Sequence, residues 1–195
     1  MIRRPVELLV LLLVAAALPA SAEAQERSPA WQIAAAVLPL PDSMRAGAAV
    51  LGYRDGRLTQ IRAGTNDMIC LTDDPAVKGF HASCYFKTLE PFMARGRALR
   101  ATGVTEREAI DSARMADIKA GRLVMAEAGA GLYQVFSDDE AADPAAGPPP
   151  GGRSLFIVYL PYATQASTGI ATQPATNRPW LMFPGKPWAH VMINP

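Results

Sequence analysis

The sequence predicts an α+β fold: an antiparallel or mixed sheet, two consecutive helices packed on one face, and an irregular, proline-rich C-terminal third. Three observations lead there. Residues 48–86 read as four short strand segments separated by turn residues. From residue 89 to 120 the apolar spacing changes to the period of a helix. Leu155-Phe156-Ile157-Val158-Tyr159-Leu160 is then an unbroken apolar run, which suits a central strand covered on both sides. Strict alternation of strands and helices, the mark of a parallel sheet, is absent.

The first 22 residues stand apart from this pattern. Arg3 and Arg4 precede an apolar run over residues 8–18, and Ala20-Ser21-Ala22 provides small residues at a cleavage position, so residues 1–22 read as a secretory signal peptide. The run is about half of the ~20 apolar residues that a membrane-crossing helix needs. No transmembrane anchor is therefore expected after cleavage, and the expected location is periplasmic or extracellular. Residues 23–195 are read as one domain. Without Arg3, Arg4 and Glu7 it carries 17 basic and 17 acidic residues. A neutral domain lacks the positive field that phosphate backbones require, which argues against a nucleic-acid partner.

Within the domain, Ser28-Pro29 reads as a helix N-cap followed by proline at the first helical position, with Trp31, Ala34, Ala35 and Leu38 on one face. Pro39 and Pro41 end that helix. Segments 48–53 and 58–63 flank Arg54-Asp55-Gly56-Arg57, where Asp-Gly supplies the two positive φ angles of a tight hairpin. A turn at Gly64-Thr65-Asn66-Asp67 leads to strand 68–72, and the turn-rich residues 73–79 lead to strand 80–86, so residues 48–86 are expected to form a four-stranded meander. The first of the paired helices starts near Leu89, with Thr88 as N-cap and Pro91 in the first turn. Thr105 and Glu108 have the spacing of a capping box for the second, with Val104 and Ala109 as its hydrophobic staple; Gly121 follows its end. Ala109, Ala113, Ala116 and Ala120 form a small-residue stripe on it that reads as a packing seam. Arg95, Arg97 and Arg100 are expected to complement the first helix's C-terminal dipole. Strands at 122–126 and 132–136 follow, and then an acidic, Pro/Gly/Ala-rich segment at 137–153 that reads as a flexible surface loop. Strand-like islands at 180–183 and 188–193 close the chain.

Cys70 and Cys84 are the only thiols, and in an oxidising compartment they are expected to pair. Antiparallel strands that place them opposite each other bring their Cβ atoms about 4.5–5.5 Å apart, within reach of a disulfide. A zinc site built from Cys70, His81 and Cys84 is disfavoured because alternation sends His81 and Cys84 to opposite faces. Asp138, Asp139, Glu140 and Asp143 do not have the spacing of a calcium loop. No cofactor is expected.

No catalytic signature occurs: there is no G-x-S-x-G, no Walker A loop, no H-E-x-x-H and no S-x-x-K. Any histidine base must be His81 or His190. His190 reads first as a partly buried ring whose nitrogens are satisfied by backbone, and second as a general base beside Tyr162, Ser167 or Thr168. Trp180 and Trp188 sit in a proline-spaced aromatic segment that can cap the core or line a groove. The functional expectation is an exported binding or interaction domain with an unidentified protein, peptide or small-molecule ligand. Its ligand-binding candidates are His81, Tyr162, Ser167, Thr168, Trp180, Trp188 and His190. The alternatives are a periplasmic hydrolase using His190 with a hydroxyl nucleophile, and a purely structural envelope protein.

Overall fold

A computed structural model describes residues 26–139 and 143–194; the expected signal peptide lies outside them. The chain forms an eight-stranded mixed sheet with five helices among the described residues, an α+β architecture. Its strand order is β2-β1-β3-β4-β5-β6-β8-β7.

Helix α1 (Pro29–Val37) begins where Ser28 Oγ accepts the Trp31 N–H at 3.2 Å, with Pro29 at the first helical position. Its buried face is Gln32, Ala35, Ala36 and Val37. A short helix α2 (Asp42–Arg45) precedes the hairpin of β1 (Ala49–Arg54) and β2 (Arg57–Arg62), whose Asp55 and Gly56 both have positive φ. The expected meander is not formed. Strand β3 (Met68–Leu71) pairs in parallel with β1, on the side away from β2. The cause lies in the connection: Thr65 and Asn66 donate their N–H groups to Gly47 O, and Asn66 Nδ2 donates to Met44 O. These bonds tie the loop to the residues ahead of β1 and carry the chain to the other edge of that strand. Gly64 lies so close to Ala49 that a Cβ would stand 2.7 Å from its backbone nitrogen.

Strand β4 (Phe80–Phe86) pairs antiparallel with β3 and puts Cys84 opposite Cys70, where the two are bridged. A 3-10 turn at Lys87–Leu89 leads into α3 (Glu90–Ala101) and then α4 (Arg107–Lys119). No side-chain capping box forms at α4, whose N-cap is Glu106. The alanine stripe is not its seam either. Ala109, Ala116 and Ala120 are exposed, and the buried positions are Ile110, Arg114 and Asp117. The helices instead meet where Gly96 leaves room for Arg114, whose Nη2 donates to Phe92 O at 2.9 Å. Arg95 and Arg122 both bind Asp117, and Arg97 binds Glu90, so these arginines have side-chain partners.

Residues 122–126 form no strand. Leu123 and Ala126 enter the core from an irregular segment that starts with the N–H groups of Arg122 and Leu123 donating to Asp117 O. Strands β5 (Ala130–Ser137) and β6 (Arg153–Tyr159) follow, and β6 lies inside the sheet between β5 and β8. Between them, a 3-10 turn at Pro144–Ala146 packs against α1, and Pro144 and Pro149 are buried. The C-terminal third supplies β6, a short helix α5 (Gln165–Thr168), β7 (Trp180–Met182) and β8 (His190–Ile193).

Strand register divides the core between two faces. Cys70, Cys84 and Tyr133 look toward α1, with Ala36, Val37 and Leu40 over them. Tyr85, Leu132 and Ile157 look the other way, into a cluster with Phe92 of α3.

Candidate functional site

The residues singled out from sequence scatter over the molecule. His81 is exposed, with Nε2 3.2 Å from Gln134 Nε2. Tyr162 is also exposed and adopts a positive φ of 64°. Ser167 and Thr168 serve the turn that holds them: Ser167 and Thr164 form a reciprocal capping box at α5, and Thr168 Oγ1 donates to Thr164 O at 2.7 Å. Among the described residues no hydrogen bond joins either imidazole to Tyr162, Ser167 or Thr168. Trp180 is half-buried in β7. Trp188 is 5% exposed and packs its ring on Phe92 and Phe183, where it caps the core.

His190 is 7% exposed and stands opposite Tyr159 in the β6–β8 ladder, ring centroids 5.0 Å apart. Its Nδ1 lies 2.8 Å from Trp188 O, an acceptor only, so Nδ1 carries the proton and Nε2 the lone pair of the neutral ring. Burial lowers the pKa of this imidazole; the Trp188 carbonyl opposes that shift and the positive charge of Arg107 adds to it. Sequence inspection thus found one member of a polar cluster without its neighbours, because Tyr159 lies in β6, Phe183 just after β7, and Arg107 and Arg114 on α4.

The concavity lies elsewhere. A groove of about 840 Å³ opens on the α1 side of the sheet, beside the 3-10 turn at Lys87–Leu89. Its sheet-borne floor is Met68 of β3, Phe86 of β4, Gly131 and Tyr133 of β5 and Phe156 of β6. Tyr133 and Phe156 pair across the ladder with ring centroids at 4.6 Å. Met44 of α2 and the irregular segment around Val124 and Met125 form its walls. Val124 is 71% exposed. Of the two charges at the rim, Lys87 is bound to Asp67 at 2.8 Å, while Glu127 has no ion-pair partner among the described residues.

The groove was not legible in the sequence. Residues 122–126 read there as a strand, and as a strand they could not wall a cleft beside the Tyr133 and Phe156 rings. The chain matches no protein-family model, no curated protein and no solved structure.

Proposed function

We propose that this chain is an exported binding domain whose groove takes an apolar small molecule with an uncharged polar end, such as a neutral single-chain amphiphile. The observation that carries this reading is the groove itself. Its volume of about 840 Å³ falls in the range of small-molecule sites, ~300–1,000 Å³, and its lining is mainly methionine, aromatic and aliphatic. Met44, Met68 and Met125 supply flexible, polarisable walls that adapt to ligand shape. Rim charge selects the polar end. Lys87 is neutralised by Asp67, so a carboxylate head would find no free cation and would meet Glu127 instead. The Cys70–Cys84 bridge suits an oxidising compartment, in keeping with export.

The test uses a neutral solvatochromic dye such as Nile red, with 1-dodecanol and dodecanoate as competitors. Val124→Asp puts a charge on the wall, and Gly131→Leu fills the floor, where a Cβ would meet the Phe156 ring at an ordinary 3.4 Å. The dye should brighten with the wild type, yield to the alcohol before the carboxylate, and fail with both variants while their unfolding midpoints stay unchanged. Equal brightening with both variants would refute the reading.

A further inference from the structure

On the opposite face of the sheet, helix α4 carries Arg107, Asp111 and Arg114 at spacings of four and three, which places them along one side of the helix. A row of rings runs beneath that side. Arg107 Cζ lies 5.5 Å from the Phe183 ring centre, Phe183 is 5.8 Å from His190, His190 is 5.0 Å from Tyr159, and Tyr159 is 6.3 Å from Phe92. Arg114 closes the row with its guanidinium 3.9 Å from the Phe92 ring centre. The two arginines differ in what holds them. Arg114 is buried, donates to Phe92 O, and lies 3.7 Å from Asp111, the acid on this side of the helix. Arg107 is exposed and has no ion-pair partner among the described residues.

Two side chains more than nine-tenths buried keep an unpartnered polar atom here. Tyr159 is 6% exposed, yet among the described residues its hydroxyl makes no hydrogen bond; His190 is 7% exposed, and its Nε2 makes none. Neither atom is sealed from solvent, unlike the indole nitrogen of Trp188. Phe183 holds a left-handed φ of 55°, and its ring neighbours both Arg107 and His190. The first turn of α4 adds backbone N–H groups with no side-chain cap.

We propose that Arg107, Tyr159 and His190 form a seat for a protonated oxyanion, the phosphate group of inorganic phosphate or of a small phosphate monoester. The chemistry of the three groups sets this choice. Arg107 and the Tyr159 hydroxyl donate, so they require acceptor oxygens, while neutral His190 offers a lone pair at Nε2 and requires a donor. Inorganic phosphate keeps at least one proton through the neutral range and so has both, whereas a monoester keeps its proton only toward and below its second pKa of about 6. Sulfate and carboxylates have acceptors alone. Burial dominates at both rings; the Arg114 charge and then the Arg107 charge act on Tyr159, and the Arg107 charge acts on His190 as well. This seat is separate from the groove and does not depend on it.

The experiment is a titration of the full mature chain with inorganic phosphate, and in parallel with sulfate, at pH 6.5 and constant ionic strength. It is followed by NMR of the histidine ring nitrogens and of backbone amides. Phosphate should shift the His190 ring signals and the amides at the start of α4, with sulfate about tenfold weaker or worse. Arg107→Ala, an exposed change that leaves the fold intact, and Tyr159→Phe, which removes one oxygen, should each weaken phosphate binding by about tenfold or more. Repeating the titration with glycerol 3-phosphate separates the free ion from a monoester. Equal response to sulfate, unchanged binding in Arg107→Ala, or shifts that avoid His190 would overturn the proposal.

Discussion

Replacing Gln32 with methionine tests how the first helix is fastened to the sheet. Strand β3 ends at Leu71, so beyond Leu51 the edge of β1 facing it has no neighbouring strand. The Gln32 side chain stands in for that strand: its Oε1 accepts the Tyr53 N–H at 2.7 Å, and its Nε2 donates to Tyr53 O at 3.0 Å and to Arg27 O at 2.8 Å. Gln32 is 3% exposed, and Gly52 permits its approach, since a Cβ there would stand 2.5 Å from Oε1. Methionine keeps the length and removes every bond. Leaving the Tyr53 N–H and C=O without partners costs about 1–3 kcal/mol each, so the expected loss is about 2–6 kcal/mol. Against a total of about 5–15 kcal/mol for a domain, that is a large fraction. The assay is equilibrium urea unfolding, read at unchanged slope. Gln32→Glu provides the control. It keeps the acceptor for Tyr53 N–H but turns a carboxylate toward two carbonyls, so its deficit relative to wild type should shrink as the pH falls and the new carboxyl gains a proton to donate. A Gln32→Met protein within about 0.5 kcal/mol of wild type would refute the reasoning.

Further outcomes are expected elsewhere in the fold. The Cys70→Ala/Cys84→Ala double variant should lose about 3 kcal/mol at most, the chain-entropy value for so short a loop, measured by urea midpoint. Both sulfurs are buried, so added reductant should act on the wild type only through unfolding. Gly96→Ala should destabilise, although alanine is ordinarily better than glycine in a helix by about 1 kcal/mol, because the new methyl collides with the Arg114 guanidinium; a raised melting temperature would contradict this. His190 has a folded pKa below the ~6.5 of an unfolded histidine, so the unfolded chain binds more protons between those two values. Its contribution is therefore complete above about pH 6.5 and declines as the pH falls below it. The melting temperature of wild type should drop more steeply than that of His190→Gln between pH 6.5 and 5, while His81, shifted downward as well, is common to both proteins.

Much of this architecture was readable along the chain because its determinants are local. Ser28-Pro29 starts a helix by supplying an acceptor and a preset φ, Asp55-Gly56 reverses the chain through two positive φ angles, and alternation around Cys70 and Cys84 sets the register that bridges them. Those signals act over a few residues and need no distant partner. Tertiary structure decided what rests on distant contacts. The order β2-β1-β3 depends on the loop at 63–67 binding residues 44 and 47, and a meander has the same local pattern. The buried side of α1 includes a glutamine because a strand edge opposite it lacks a neighbour, and Gly52 is the single trace of that contact in the sequence. Arg114 is buried and Ala109 and Ala116 are exposed because Gly96 admits a guanidinium between the helices. The groove and the arginine–histidine row follow the same logic: each gathers residues from separate elements, whose distances are set by packing and not by spacing in the chain.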